Sequence, residues 1–178
     1  VFTDMDPEIV QNGDFTIPNY NGIMPKSYSV ASNSGFTYNP GGNYIEGDDV
    51  TQYTKLYSTP SVPFVVGSSY DVSFTIGQLG SAGIGGKIKI YIVSPAAGAN
   101  PTYWGTAYAT TTGTHTFTID TAGAGANSSN FNYYSGKWFF QASDISGVGF
   151  TGIIENVSIV KVNPENARVH CEVLSIDS

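Results

Sequence analysis

Strict alternation of apolar and polar side chains recurs along this chain and restricts its fold more than any other feature. Every second residue is apolar over residues 70–76, and the isoleucines of residues 87–93 share one face. Because successive side chains of a strand point to opposite faces, each segment buries one face and exposes the other. Residues 114–119 repeat the pattern more weakly, and the long β-branched run 152–162 is typical of a central strand.

The remaining composition also favours strands joined by turns. Leu occurs at only three positions, whereas the chain contains 12 Tyr, 10 Phe and 21 Gly. Aromatic residues favour strands and glycine marks turns, and no segment shows the 3.6-residue period of an amphipathic helix. The sequence therefore predicts an all-β, jelly-roll β-sandwich of two antiparallel sheets.

Further strands are predicted at residues 8–11, 28–32, 51–58 and 137–143, where Trp138 is expected in the core. Residues 94–105 and 122–136 are expected to be long loops, which in a compact domain are often functional. Residues 1–162 are predicted to form one domain. Residues 163–178 are predicted to be a linker followed either by a C-terminal arm, which pairs with a neighbour by strand addition, or by the start of another domain.

The charge balance disfavours nucleic acid as a partner. The net charge is −7 with only seven Lys and Arg, too few for a basic stripe that neutralises phosphates. A weakly charged acidic surface fits a neutral partner such as a glycan, and it equally fits plain solubility. The sequence contains no run of about 18 apolar residues, so it predicts no membrane-spanning segment. The chain begins without a signal-peptide pattern, so either a signal was removed or this is a piece of a longer protein.

Three segments together resemble the family 4/9 carbohydrate-binding modules and their galactose-binding-like jelly-roll relatives. They read IVQNGDF at residues 9–15, VPFVVGSSYDVSFT at 62–75 and FTGIIENVSI at 150–159. Their order and spacing match the family across residues 8–162. The resemblance implies two facing sheets with the last strand beside the first, and polysaccharide binding without cleavage on the concave face or at the loop ends.

The resemblance also implies a structural calcium ion near the first strand and the last. The corresponding residues here are Asn12, Asp14, Thr16 and Glu155. Thr16 replaces a family Glu and Glu155 replaces a family Asp, so one charged ligand is lost and the reach of another changes. The alternative is that Asp14 caps a turn and Glu155 is an exposed strand residue. A second acidic cluster, residues 46–49, does not fit the EF-hand spacing and is expected to be a solvated turn.

Sugar binding needs flat aromatic faces for stacking and amides for the hydroxyl groups. The candidate platforms are Tyr103, Trp104, Tyr108, Tyr133 and Tyr134. The candidate polar partners are Asn130, Asn132 and Gln141, with Tyr38 and Tyr44 as second choices. The alternative for each aromatic residue is that it fills the core or anchors a loop.

The sequence gives little support to the hypothesis that the protein is an enzyme. His115 and His170 have no visible catalytic partner, and the adjacent His170 and Cys171 would point to opposite faces of a strand. No G-x-S-x-G elbow is present, although a glycosidase with two distant carboxylates stays open.

The favoured hypothesis is a non-catalytic glycan-binding module of a secreted or surface protein. The alternative is a structural or adhesin domain of a phage virion or bacterial surface assembly, making protein contacts through residues 163–178.

Overall fold

The protein is described by a computed structural model that covers residues 28–30, 35–58, 64–78, 84–95 and 100–162. Its first five strands are β1 (Tyr28–Val30), β2 (Phe36–Asn39), β3 (Tyr44–Val50), β4 (Lys55–Ser58) and β5 (Ser69–Gly77). The next four are β6 (Lys87–Val93), β7 (Thr102–Gly105), β8 (Gly113–Asp120) and β9 (Ala126–Asn127). A 3-10 helix (Ser129–Tyr134) precedes β10 (Trp138–Ser143) and β11 (Phe150–Lys161).

The strands form two antiparallel sheets that pack face to face. The six-stranded sheet has the order β1-β4-β10-β6-β7-β9, and the five-stranded sheet has the order β2-β3-β11-β5-β8. The chain passes repeatedly from one sheet to the other, as from β4 to β5 and from β10 to β11. The predicted all-β sandwich is therefore confirmed.

The main core lies between the sheets and is built from the alternating residues. Phe74 and Ile154 from the five-stranded sheet, and Ile90 and Phe140 from the six-stranded sheet, are all fully buried. Trp138 is only 1% exposed, which confirms its predicted place in the core. Phe74 meets Phe140 edge-on with ring centres 5.1 Å apart, so aromatic packing joins the two sheets directly.

The last described strand, β11, is central in its sheet, as the β-branched run predicted. It pairs with β3 on one side and β5 on the other. The register with β5 shifts between Glu155 and Ser158, and Asn156 at that irregularity has φ 50°. The bulge lets the strand bend while its inward residues stay buried.

Several local expectations are corrected by the structure. The predicted strand 51–58 begins only at Lys55, since residues 52–53 form a turn. The acidic residues 46–49, expected to be a turn, belong to β3. A Cβ on Gly47 would lie 2.6 Å from the Phe150 ring, so glycine lets a core aromatic pack directly on this strand. The expected loop 94–105 contains β7, and the expected loop 122–136 contains β9 and the 3-10 helix.

Residues 8–11 and 163–178 lie outside the described residues, so the first strand, the domain boundary and the C-terminal arm remain predictions. Among the described residues, no helix has the length and apolar character needed to cross a membrane.

Candidate functional site

The outer face of the six-stranded sheet carries a second, separate aromatic cluster. An outer sheet face is usually polar, yet residues that alternate with the core here are aromatic or aliphatic. We call this cluster the aromatic layer; its buried members are Tyr57, Tyr91, Val93, Phe131 and Phe139, with Tyr103 and Tyr134 packed against them.

Strand register brings these rings together. Phe139 on β10 lies opposite Tyr57 on β4 and opposite Tyr91 on β6. The ring centres of Tyr91 and Phe139 are 5.1 Å apart, and Tyr103 on the next strand follows at 5.6 Å from Tyr91. The contacts of neighbouring rings across four strands produce a continuous aromatic surface.

The 3-10 helix covers part of this surface. The ring of Phe131 meets Tyr103 edge-on with centres 4.4 Å apart, and Tyr134 lies 4.8 Å from Phe139. The hydroxyl of Ser128 accepts a hydrogen bond from the Asn130 backbone N–H at 3.2 Å, which caps the start of the helix. The helix is therefore held by two inward aromatic side chains and a polar cap.

A cleft of about 450 Å³ opens between the helix and the sheet. We call it the sheet cleft. Its aromatic lining is Tyr53, Tyr91, Tyr103 and Phe131, and its polar lining is Lys55, Ser128, Asn130 and Gln141. Aromatic walls with a few convergent polar groups are typical of small-molecule and saccharide sites.

Gln141 is the most unusual polar residue of the sheet cleft. It lies on β10, is only 4% exposed, and its side chain lines the cleft. A ligand hydroxyl group in the cleft would find both hydrogen-bond donors and an acceptor in this amide.

Lys55 lies beside Gln141 and faces the aromatic layer. Its Nζ donates to the Tyr53 carbonyl oxygen at 3.0 Å and lies 5.4 Å from the centre of the Tyr134 ring. Phe131 and Phe139 are also within 6 Å, at 5.7 and 5.8 Å. Partial burial lowers the pKa of Lys55, while the ring faces attract its ammonium group.

Two more lysines follow on β6. The Nζ atoms of Lys87 and Lys89 each lie 4.5 Å from the centre of the Tyr108 ring. Lys89 also lies 4.3 Å from the centre of the Tyr91 ring. Tyr108 therefore positions both ammonium groups on the outer face, next to the aromatic layer.

A second cleft, also about 450 Å³, lies on the other side of Tyr91 and Tyr103. Lys89, Trp104 and Asp120 contribute to its lining. Since both clefts share the two tyrosines, these rings form a ridge between two openings. An extended ligand that crosses the ridge would contact both.

Several residues predicted from the sequence meet at this face. Tyr103, Asn130 and Gln141 line the sheet cleft. Tyr134 is half-buried in the aromatic layer, and Tyr108 contacts the lysines. Thus part of the predicted polar and aromatic set is contiguous.

Two predicted residues lie on the exposed side of the helix. Tyr133 is 64% exposed and its hydroxyl is 3.2 Å from that of Tyr57, while Lys137 Nζ lies 4.3 Å from its ring centre. Asn132 is exposed, and its carbonyl oxygen accepts from the Ser135 N–H. Neither lines the sheet cleft.

Trp104 differs from its neighbours. It pairs with Ile92, so its ring packs on the side of the main core, and its Nε1 donates to the Gly123 carbonyl oxygen at 3.1 Å. It is half-buried and lines the second cleft and a third opening near Gly123, but not the sheet cleft. Its main role in the structure is to anchor the 122–125 segment.

Three lining residues were missed by sequence reasoning: Tyr53, Lys55 and Tyr91. Tyr91 lies between Ile90 and Ile92, so the alternating pattern predicts that its side chain points outward. Tyr53 and Lys55 carry no such signal, because only the pairing of β4 with β10 brings them beside Gln141.

The predicted metal ligands are only partly described. Glu155 lies on the outer face of the five-stranded sheet, away from both clefts, and Asn12, Asp14 and Thr16 lie outside the described residues. Within the described ranges, no group of three His, Cys, Asp or Glu side chains could hold a metal ion. Of the second-choice aromatics, Tyr38 is buried in the core, and Tyr44 lies half-buried on the five-stranded sheet.

Comparison with known proteins adds no family: no protein-family model matches this sequence, and no curated protein matches it. The argument for function therefore depends on the site itself.

Proposed function

We propose that this domain binds a glycan without cleaving it, on the outer face of its six-stranded sheet. The observation that carries the proposal is a cleft with aromatic walls whose polar lining includes the amide side chains of Gln141 and Asn130. A pyranose ring would stack on the exposed faces of Tyr53 and Tyr103. Its hydroxyl groups would bond Gln141 and Asn130.

The lining also supports binding rather than catalysis. The described lining of the sheet cleft contains no carboxylate and no imidazole. Glycoside hydrolysis typically needs a pair of carboxyl groups flanking the scissile bond. The proposed role is therefore retention of the sugar on a preformed surface.

The resemblance to family 4/9 carbohydrate-binding modules agrees with this proposal but does not test it. That resemblance also carries the expectations of an extracellular, cell-surface or virion location and of a structural calcium ion. Both remain predictions, since the expected ligands near the N-terminus lie outside the described residues.

The test uses the full chain on an array of immobilised polysaccharides, followed by calorimetry with the strongest ligand. Tyr53→Ala and Asn130→Ala remove exposed lining residues and should leave the fold intact. Each should weaken binding about fivefold or more, because a lost stacking face or hydrogen bond costs about 1 kcal/mol. Tyr44→Ala, on the opposite sheet, is the matched control and should bind normally.

If the folded protein binds no glycan on the array, the proposal is refuted. If the protein then self-assembles, and removal of residues 163–178 abolishes the assembly, the structural or adhesin alternative replaces it.

A further inference from the structure

We infer that the glycan is acidic, and that carboxylate or sulfate groups along it are bound by the lysines that flank Gln141. The inference rests on the proposed function and adds the chemical class of the ligand. Its basis is the distribution of charge between the two sheets and the positions of Lys55, Lys87 and Lys89 relative to the sheet cleft.

Charge is segregated between the sheets of this acidic protein. None of the six strands of the six-stranded sheet contains an Asp or Glu, whereas β3, β5, β8 and β11 of the other sheet all do. The lysines show the opposite distribution. Of the five in the described residues, Lys161 is on the five-stranded sheet. Lys55, Lys87 and Lys89 face outward on the six-stranded sheet, and Lys137 directly precedes β10 with its Nζ over the Tyr57 ring.

This segregation means that the face is locally basic although the whole chain carries a net charge of −7. A cleft lined by charge of one sign raises the local concentration of ligands of the opposite sign. The overall charge would repel a polyanion elsewhere on the surface, so an acidic ligand would be directed to this face.

The lysines form an ordered row with the buried amide between them. Gln141 pairs with Lys55 on one side and Lys89 on the other. Since neighbouring strands are about 4.8 Å apart, the backbones of the two lysines are about 10 Å apart. A saccharide chain that crosses the strands would meet a cation, an amide and a second cation in turn.

Within the described part of the chain, these lysines have no carboxylate partner. Lys55 makes a hydrogen bond to a carbonyl oxygen, and Lys87 and Lys89 share the ring of Tyr108. Ring contacts orient an ammonium group without neutralising it. Neighbouring like charges disfavour each other, so an anion bound between them relieves this repulsion.

The test compares acidic polysaccharides with their uncharged counterparts, using the full chain and calorimetry at low and high NaCl. Polygalacturonate against its methyl ester tests carboxylate, and dextran sulfate against dextran tests sulfate. At least one acidic polysaccharide should bind at least about tenfold more tightly than its uncharged counterpart. The uncharged polysaccharide cannot form hydrogen bonds between charged groups with the lysines. The preference should shrink as NaCl is raised.

The variants Lys55→Gln and Lys89→Gln remove one charge each from the row. Each should weaken binding of the preferred acidic glycan about fivefold or more, and should weaken it more than it weakens binding of the neutral form. Lys161→Gln removes a charge from the other sheet and is the matched control. A circular dichroism spectrum of each variant establishes that the sheets remain folded.

The outcomes separate this inference from the proposed function. Equal affinity for acidic and neutral forms, or the same loss for all three lysine variants, would overturn the acidic class while glycan binding stands. Absence of any glycan binding would overturn both. Equally tight binding of single-stranded DNA would show a general polyanion surface and would also overturn the inference.

Discussion

The hydroxyl groups of Tyr57 and Tyr133 lie 3.2 Å apart, which links strand β4 to the 3-10 helix. Tyr57 also meets Tyr133 and Tyr134 edge-on, with ring centres 5.5 and 5.4 Å away. These ring contacts hold the helix against β4. The sheet cleft lies beside this junction, so its shape depends on how firmly the helix is attached.

Phe131 is expected to be the main anchor of the helix. It is 8% exposed and contacts the rings of Tyr91, Tyr103 and Phe139. Phe131→Ala should lower the free energy of unfolding by about 3 kcal/mol, because it leaves a cavity in the aromatic layer. Urea denaturation measures the change. Tyr133→Ala, at a 64% exposed position, should cost less than about 1 kcal/mol; equal losses would contradict the anchor role.

Gly86 is predicted to tolerate no side chain. Its φ is +60°, and a Cβ there would lie 2.6 Å from the backbone nitrogen of Phe150. Gly86→Ala should destabilise the fold by at least about 3 kcal/mol, because the backbone must move. Gly67→Ala, with φ +91° and open space around it, should cost only about 1 kcal/mol of conformational strain. A thermal melt of both variants gives the comparison.

Thr121 is expected to fix the turn before β5. Its buried hydroxyl accepts from the backbone N–H groups of Gly67 and Ser68 at 3.1 Å and donates to the Ser68 carbonyl oxygen at 2.6 Å. Thr121→Val keeps the shape and should cost about 1–2 kcal/mol, since these groups lose their partner. Faster amide exchange at Gly67 should accompany the loss. Thr121→Ser keeps the hydroxyl group, so the Gly67 amide should exchange as slowly as in the unmodified chain.

The phenol of Tyr134 should make stability depend on pH in the alkaline range. Burial first, and then the nearby Tyr57 and Tyr133, raise the pKa of Tyr134 above the ordinary 10.0. The folded state therefore favours the protonated phenol. This contribution is fully present below pH 10 and is lost as the pH rises through the folded pKa.

Urea denaturation at several pH values between 8 and 11 measures this effect. The Tyr134→Phe variant should lose less stability above pH 10 than the unmodified chain, because it has no phenol at that position. The tyrosines distant from Tyr134 are common to both proteins, so their ionisation cancels in the comparison. Parallel pH profiles would show that Tyr134 does not contribute.

Calcium binding is a separate prediction from the family resemblance. If Asn12, Asp14 and Glu155 hold the ion, calcium should raise the melting temperature and a chelator should reverse the rise, because only the folded state would have the site. Glu155→Gln should reduce the response. An unchanged melting temperature on calcium titration would reject the site.

The alternating pattern predicted most of the sheet structure before any coordinates were considered. The prediction of residues 87–93 as a strand coincides with β6, and the long β-branched run became the central β11. In contrast, β3 was missed, because its Glu-Gly-Asp-Asp sequence is typical of a turn. Its strand conformation depends on pairing with β11 and on Phe150 packing over Gly47.

The candidate site residues also divide into those that the sequence could predict and those that it could not. Gln141 and Tyr103 could be chosen from their residue types, whereas Lys55 and Tyr53 could not, since they are distant from Gln141 in the chain. Trp104 and Tyr103 are adjacent in sequence but face opposite sides of β7. A list of aromatic residues in a presumed loop cannot distinguish them without the strand register.

Side-chain period is a local property, and so the chain alone was enough to predict the strongly alternating strands, the sandwich and the buried Trp138. Strand order and register are non-local, because they depend on which segments pair across tens of residues. These pairings put Lys55, Gln141 and Lys89 in one row, placed the lysines and the carboxylates on different sheets, and seated the 3-10 helix on an aromatic layer.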